Sequence, residues 1–287
     1  MMVAESISGR SYVAQDFAQR LKNAEDPRAA QAVRLVVDAI CDIIAKLQPT
    51  RMELQQIIAF LTDVGEACHD TRHEWVLLFD VLGVTSQVEA QLAPKAEGLT
   101  PPTLTGPFYR PDVAFRKDGE SISLDGRGVP LEVVAHVQNL DGCPIEGAVV
   151  EVWQANGDGI YENQDPDAQP EFNLRGRYRV PGSGRVSIRT VRPAGYRVPD
   201  DGPVGALMKL LDLGLDRPAH IHFRISAPGH RTLTTHIFDR TDPCIADDPL
   251  LAVRPELLAE FTETGDGGLR TEFRFVLASN RSQDIQS

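Results

Sequence analysis

The sequence predicts an α+β protein, with a helical N-terminal part over residues 1–98 and an all-β sandwich over residues 99–287. Three observations carry that division. Apolar residues recur at steps of three and four through the first hundred positions. The texture then changes at GLTPPTLTGPFYRPD, where prolines and glycines crowd in and the helical spacing stops. Beyond it, short β-type runs alternate with turn signals.

In QAVRLVVDAICDIIAKLQ, the residues Val33, Val36, Val37, Ile40, Ile43, Ile44 and Leu47 form one stripe on a helix. Pro49 ends it. Thr50 with Glu53 makes a capping box for the next helix, whose Leu54, Ile57, Ile58, Leu61 and Val64 share a face. EWVLLFDVLG predicts a further helix ending near Gly83, and a short one precedes Pro94. In the second part, LEVVAHVQNLDGCPIEGAVVEVWQA reads as strand, Asp-Gly turn, strand. GRYRVPGSGRVSIRTVRP and AHIHFRISAPGHRTLTTHIF repeat the scheme, and LRTEFRFVLA adds a last strand. Irregular segments at 154–175 and 192–217 interrupt it, and loops that long in a compact domain are usually functional or disordered.

The composition, 42% hydrophobic and 24% charged, is that of a soluble globular chain. A net charge of -12 argues against nucleic acid or an anionic membrane as partner. No run approaches the length of a membrane span. Cys41, Cys68, Cys143 and Cys244 lie far apart with no CxxC pair, which predicts reduced thiols. MMVAESISGRSYVAQ lacks the apolar core of a secretory leader, so the expected location is cytoplasmic.

The chemistry gathers around DRPAHIHFRIS. Strand alternation puts His220, His222 and Arg224 on one face and Ile221, Phe223 and Ile225 on the other. Two imidazoles at i and i+2 can grip one ion, and zinc, copper and iron all accept such a pair. The plainer alternative is the polar face of an edge strand. The long loops carry Tyr161 and Tyr196 in Gly-, Asp- and Pro-rich surroundings. As phenolates these are hard donors suited to a trivalent cation. Two phenolates and a hydroxide would neutralise a ferric ion, and two neutral imidazoles would complete five ligands. Such a centre is buried without a large desolvation cost.

In order, VWQANGDGIY, DDGPVG, RPAHIHF and LTTHIF resemble the motifs of the intradiol ring-cleaving dioxygenases. The resemblance runs from EWVLLFDVLG through LRTEFRFVLA. It implies a non-haem enzyme with one Fe(III) per chain, held by Tyr161 and His220 as equatorial ligands and Tyr196 and His222 as axial ones. Tyr196 would leave when substrate chelates and take up a substrate proton. Arg217 would stabilise charge on the bound ring. Leu77, Asp80, Gly106, Pro107 and Phe108 match positions that line the ring pocket. His236 stands where catechol-cleaving members have glutamine, similar to the hydroxyquinol-cleaving branch, and is expected beside the iron without ligating it.

The implied reaction cleaves hydroxyquinol (benzene-1,2,4-triol) with O2 between its vicinal hydroxyls, giving 3-hydroxy-cis,cis-muconate or its tautomer maleylacetate. Asp80 points to the triol, because a carboxylate can accept a hydrogen bond from a third ring hydroxyl. Catechol or chlorocatechol cleavage to muconates is the alternative. The family also implies a homodimer through the helical part, with phospholipid at the interface, whereas an ordinary helix packed on its own domain explains the same stripe. Two readings of other classes stand beside these: a non-catalytic β-sandwich binding protein, and a zinc hydrolase using the two histidines with Asp216.

Overall fold

The structure, a computed structural model, describes residues 11–70 and 72–280. The leader reading rests mostly on residues outside that range. Helices α1 (Tyr12–Arg20), α2 (Pro27–Leu47), α3 (Arg51–Glu66), α4 (Glu74–Val81) and α5 (Val84–Leu92) come first. Asp26 caps α2 by accepting from the amides of Arg28 and Ala29, with Pro27 as its first residue. The box before α3 is closed in both directions: Thr50 N donates to Glu53 Oε2 at 2.7 Å, and Glu53 N donates to Thr50 Oγ1 at 3.2 Å.

The chain divides into two compact units, one up to Asp63 and one from Val64 onward. The change of texture near residue 99 lies where helix gives way to strand, since α5 ends at Leu92. In the first unit α1 packs on α2. Val36, Ile40, Ile43, Ile44 and Leu47 of the α2 stripe are exposed.

In the second unit the strands are β1 (Phe115–Arg116), β2 (Pro130–Gln138), β3 (Val149–Gln154), β4 (Arg175–Arg179), β5 (Arg185–Val191) and β6 (Tyr196–Arg197). Helix α6 (Pro203–Leu210) follows. Then come β7 (Asp216–Arg217), β8 (His220–Ser226), β9 (Leu233–Asp239), β10 (Leu258–Ala259), β11 (Thr262–Glu263) and β12 (Leu269–Val276). One sheet runs β1-β4-β3-β8-β9-β10 and the other β11-β12-β2-β5; β6 and β7 form a small ribbon. Alternate residues of both sheets fill the core between them: Val133, Ala135 and Ile188 from one, Val152, Ile221, Phe223 and Ile225 from the other. Phe223 and Phe275 meet across it with ring centroids 4.8 Å apart.

Of the three strand-turn-strand units, only β8 and β9 pair with each other as a hairpin. The turns between β2 and β3 and between β4 and β5 carry the chain from one sheet to the other. Turn chemistry reads the same in both cases, because it reports a reversal and not the partner. The segment 192–217, read as irregular, contains α6. Its first turn is stabilised from a distance: Glu74 Oε1 accepts the Val204 amide at 3.0 Å.

Candidate active site

The site grows from one cross-strand row. On the large sheet Arg175, Trp153, His222 and His236 stand opposite one another on β4, β3, β8 and β9. They emerge on the face away from the core, as alternation requires. Trp153 stacks on His222 with ring centroids 4.7 Å apart, and His222 lies 4.0 Å from His236. His220, two residues before His222, sits 5.0 Å from both other histidines. One ring nitrogen from each of the three lies within 4.8 Å of the others, and all three side chains are buried.

The loops bring the tyrosines to this row. Tyr161 is buried, 6.4 Å from His222 and 5.8 Å from Tyr196 by ring centroid, and Tyr196 is 5.4 Å from His220. Phe108 stacks on Tyr161 at 4.1 Å and meets Tyr196 edge-on at 6.3 Å. Arg175 fixes this lid: its Nη1 donates to the Phe108 carbonyl, and its Nε donates to Glu162 Oε1 at 2.7 Å. Gly106 brings its backbone against His222, where a Cβ would stand 3.5 Å from Cε1, and its φ of +71° suits glycine.

Arg217 closes the other side. Its Nε donates to Asp248 Oδ1 at 3.1 Å, and its Nη1 lies 3.2 Å from both Tyr196 Oη and His220 Nε2. His220 Nδ1 faces the Pro218 carbonyl at 2.7 Å and so carries the proton, which leaves the lone pair on Nε2. Asp248 Oδ2 accepts the Ala252 amide at 3.0 Å. Asp80 on α4 is buried with Oδ1 unpartnered and feels the Arg217 charge. Leu77 packs on the cluster containing Phe238, whose ring lies 5.3 Å from His236. Pro107 is exposed.

Burial sets the protonation states. It lowers the His220 pKa to about 3, helped by the Arg217 charge, and holds His222 and His236 well below the usual imidazole range. All three rings are therefore neutral donors. Burial raises the Tyr161 phenol well above 10, with the nearby Tyr196 phenol as the next cause. Burial alone would pull Arg217 down, but Tyr196 and Asp248 outweigh it and hold the guanidinium above its ordinary value. Burial raises Asp80 above 3.8, against the opposing effects of Thr85 and Arg217.

These donors fit a hard or borderline cation. Tyr161 Oη and His236 Nε2 are buried with no hydrogen-bond partner among the described residues, and so is Arg217 Nη2. Orphaned polar atoms of that kind cost free energy unless an occupant meets them. The set is phenol oxygen and imidazole nitrogen, with no thiol among its contacts within the described residues. Asp216 is exposed and pairs with Arg197 at 3.5 Å, so the carboxylate arm of a zinc hydrolase is missing.

Sequence reasoning brought together Tyr161, Tyr196, Arg217, His220 and His222, and placed His236 beside them. It missed Asp248, Trp153, Arg175 and Thr103. Thr103 Oγ1 meets His236 Nδ1 and leaves that ring's Nε2 facing the site. A tryptophan at the end of a strand that runs into a tyrosine loop was a usable signal. An aspartate among several in CIADDPLL was not.

Two family patterns cover most of the chain: "Catechol dioxygenase N terminus" matches residues 26–100 and "Dioxygenase" matches residues 104–279. The chain belongs to the intradiol dioxygenase family. It is 38% identical to the hydroxyquinol 1,2-dioxygenase of Rhizobium sp. (strain MTP-10005), over 92% of this chain and 89% of that one. The catechol 1,2-dioxygenase of Candida albicans is 34% identical over 82% and 78%. Among solved structures, hydroxyquinol 1,2-dioxygenase from Pseudomonas putida DLL-E4 superposes with a TM-score of 0.89 at 34% identity, covering 93% of this chain and 97% of that one. As an intradiol dioxygenase the protein is an enzyme that acts on an aromatic substrate with O2 and uses non-haem iron, which removes the non-catalytic binding reading.

Proposed function

We propose that this dioxygenase cleaves hydroxyquinol between its vicinal hydroxyls to 3-hydroxy-cis,cis-muconate, the tautomer of maleylacetate, using one Fe(III) held by Tyr161, Tyr196, His220 and His222. The observation that carries the triol over catechol is Asp80, a buried carboxylate with an unpartnered oxygen, near enough to Arg217 to feel its charge. Burying that group costs free energy that a purely apolar wall would avoid. A third ring hydroxyl donating to Oδ1 offsets it. His236 in place of an amide, and relatives named hydroxyquinol dioxygenases, support the same reading.

What ferric iron supplies when bound is Lewis acidity toward the vicinal ring oxygens and one-electron chemistry with O2. The chain does the rest. Tyr196 Oη takes a proton from a substrate hydroxyl, and Arg217 Nη1 at 3.2 Å steadies charge at that atom. Arg217 Nη2, buried and unpartnered, faces charge that develops on the ring. Phe108 and the Gly106–Pro107 turn cover the ring pocket and shed water, while Leu77 bounds it from α4. His236, its Nδ1 engaged by Thr103, keeps its free Nε2 for the bound ring in this reading, in which the iron takes His220 and His222.

The helical part is proposed as a homodimer interface, with phospholipid on the exposed α2 stripe, in a cytoplasmic protein. Light scattering and lipid extraction test that arrangement. The deciding experiment for the activity is oxygen uptake on a panel of hydroxyquinol, catechol, 3-chlorocatechol and 4-chlorocatechol. Hydroxyquinol is expected to have the highest kcat/KM, and preference for a chlorocatechol would overturn the Asp80 argument. Iron content with a visible tyrosinate charge-transfer band tests the ligand set; colourless protein with stoichiometric zinc would refute it.

A further inference from the structure

We propose that Trp153 and Tyr109 form an electron relay that carries an oxidising equivalent from the metal site to the protein surface, where a small thiol quenches it. The proposal rests on iron being held beside His222. Trp153 has two aromatic neighbours and links them. Its indole stacks on His222 with centroids 4.7 Å apart and an interplanar angle of 16°, and it also meets Tyr109, tilted by 60°, at 5.0 Å. Tyr109 is half-buried, so the chain of rings runs from the buried histidine cluster to solvent in two steps.

The surroundings of each ring suit its place. Trp153 Nε1 is buried with no hydrogen-bond acceptor among the described residues. An oxidised indole there has nowhere to send its proton, stays strongly oxidising and passes the hole onward. Tyr109 has the opposite arrangement: its hydroxyl lies 3.3 and 3.4 Å from the two oxygens of Glu151. A phenol loses an electron readily when a base takes its proton at the same time. Glu151 is held in place by Arg224 at 2.7 Å and Arg177 at 3.3 Å. Arg224 shares the strand of the histidines, has no part in the proposed ring cleavage, and finds its place here.

The steps balance. Hydrogen peroxide is the two-electron oxidant: at the iron-loaded site without aromatic substrate its O–O bond would break, and with two protons from solvent and two electrons, delivered one at a time along the relay, both oxygens would leave as water. That oxidant takes one electron from Trp153. The Trp153 cation radical takes one electron from Tyr109, whose phenolic proton moves to Glu151. A thiolate from solution then gives one electron to the Tyr109 radical, Glu151 returns the proton, and the thiyl radical leaves; a second pass delivers the second electron, and the two thiyl radicals couple as disulfide.

The test is to treat iron-loaded enzyme with excess peroxide in the absence of aromatic substrate, freeze rapidly, and record electron paramagnetic resonance. Oxidised residues are then mapped by peptide mass spectrometry. A transient tyrosyl signal is expected, narrowed by ring-deuterated tyrosine and removed by thiol. In Tyr109→Phe, which keeps the ring, the signal should vanish and oxygen adducts should accumulate on the Trp153 peptide. Glu151→Gln keeps a hydrogen-bond acceptor and removes the base, so it should lower the radical yield several-fold. No tyrosyl signal in the wild type, or the same signal and damage map in Tyr109→Phe, overturns the relay. If iron and the visible band are absent from the starting sample, the metal reading falls and the relay with it; a normal band with an unchanged radical sinks the relay alone.

Discussion

Arg217 and Asp248 form an ion pair at 3.1 Å with side chains only 1% and 2% exposed. A buried pair of this kind is weak evidence for stability, because desolvation of both groups offsets their attraction. Its value is geometric. Asp248 is itself fixed by the Ala252 amide, so Arg217 is held from one edge and presents Nη1 to Tyr196. Asp248→Asn should lower kcat/KM by about 10- to 100-fold, as loss of an outer partner of a metal site typically does. Most of that should fall on kcat, read in steady-state oxygen uptake, with iron content unchanged. A loss confined to KM would place Asp248 in binding alone.

The same pair has a pH signature. Burial pushes Asp248 up, but Arg217 outweighs it and holds the carboxyl below 3.8. A depressed folded value means that the stabilisation is fully present above the unfolded value and is lost as pH falls through the folded one. The melting temperature of the wild type should therefore exceed that of Asp248→Asn at neutral pH. The gap should narrow on acidification below about pH 4. A gap independent of pH would show that packing, not charge, separates the two proteins.

How much of this was legible follows from the range of each signal. Alternation in HIHFRIS correctly separated His220 and His222 from the core residues Ile221, Phe223 and Ile225, because strand period is local. The Thr50–Glu53 box was local too. Asp248 reaches Arg217 across 31 positions with no periodic context, so nothing in the chain distinguished it from Asp247. The Trp153–His222–His236 row exists only once register between β3, β8 and β9 is set, and register is a property of the sheet. Helix α6 was missed because a short apolar run between Pro203 and Asp212 is ambiguous until Glu74 receives the Val204 amide.

Tyr161→Phe separates folding from function by sign. The Tyr161 hydroxyl is buried and unpartnered, so in metal-free protein its removal relieves a penalty of about 1–3 kcal/mol. The metal-free variant should melt at the same temperature as the wild type or higher. Iron uptake, the visible band and oxygen uptake should all fall steeply. Retention of the band would mean that Tyr161 is not a ligand.

Gly106→Ala tests the turn over the ring. A new Cβ would make only ordinary contact with His222, at 3.5 Å, but the φ of +71° is left-handed. Holding alanine there costs about 1–2 kcal/mol. The loop should shift to relieve it, raising KM for hydroxyquinol more than it lowers kcat. An unchanged KM in oxygen uptake would detach this turn from the pocket.

Asp80→Asn sets specificity against stability. Burial holds the folded carboxyl above 3.8, so its contribution favours the fold below that value and is lost as pH rises through the folded value. The neutral amide removes that cost, and the variant should be as stable as the wild type near neutral pH or more so. Its activity should move the other way. A hydrogen bond between a ring hydroxyl and a carboxylate contributes about 1.5–3 kcal/mol. The kcat/KM for hydroxyquinol should therefore drop by about 10- to 100-fold, while catechol, which lacks the third hydroxyl, should be cleaved nearly as before. Equal losses on both substrates would make Asp80 a support for Arg217 and would take the triol preference out of its hands.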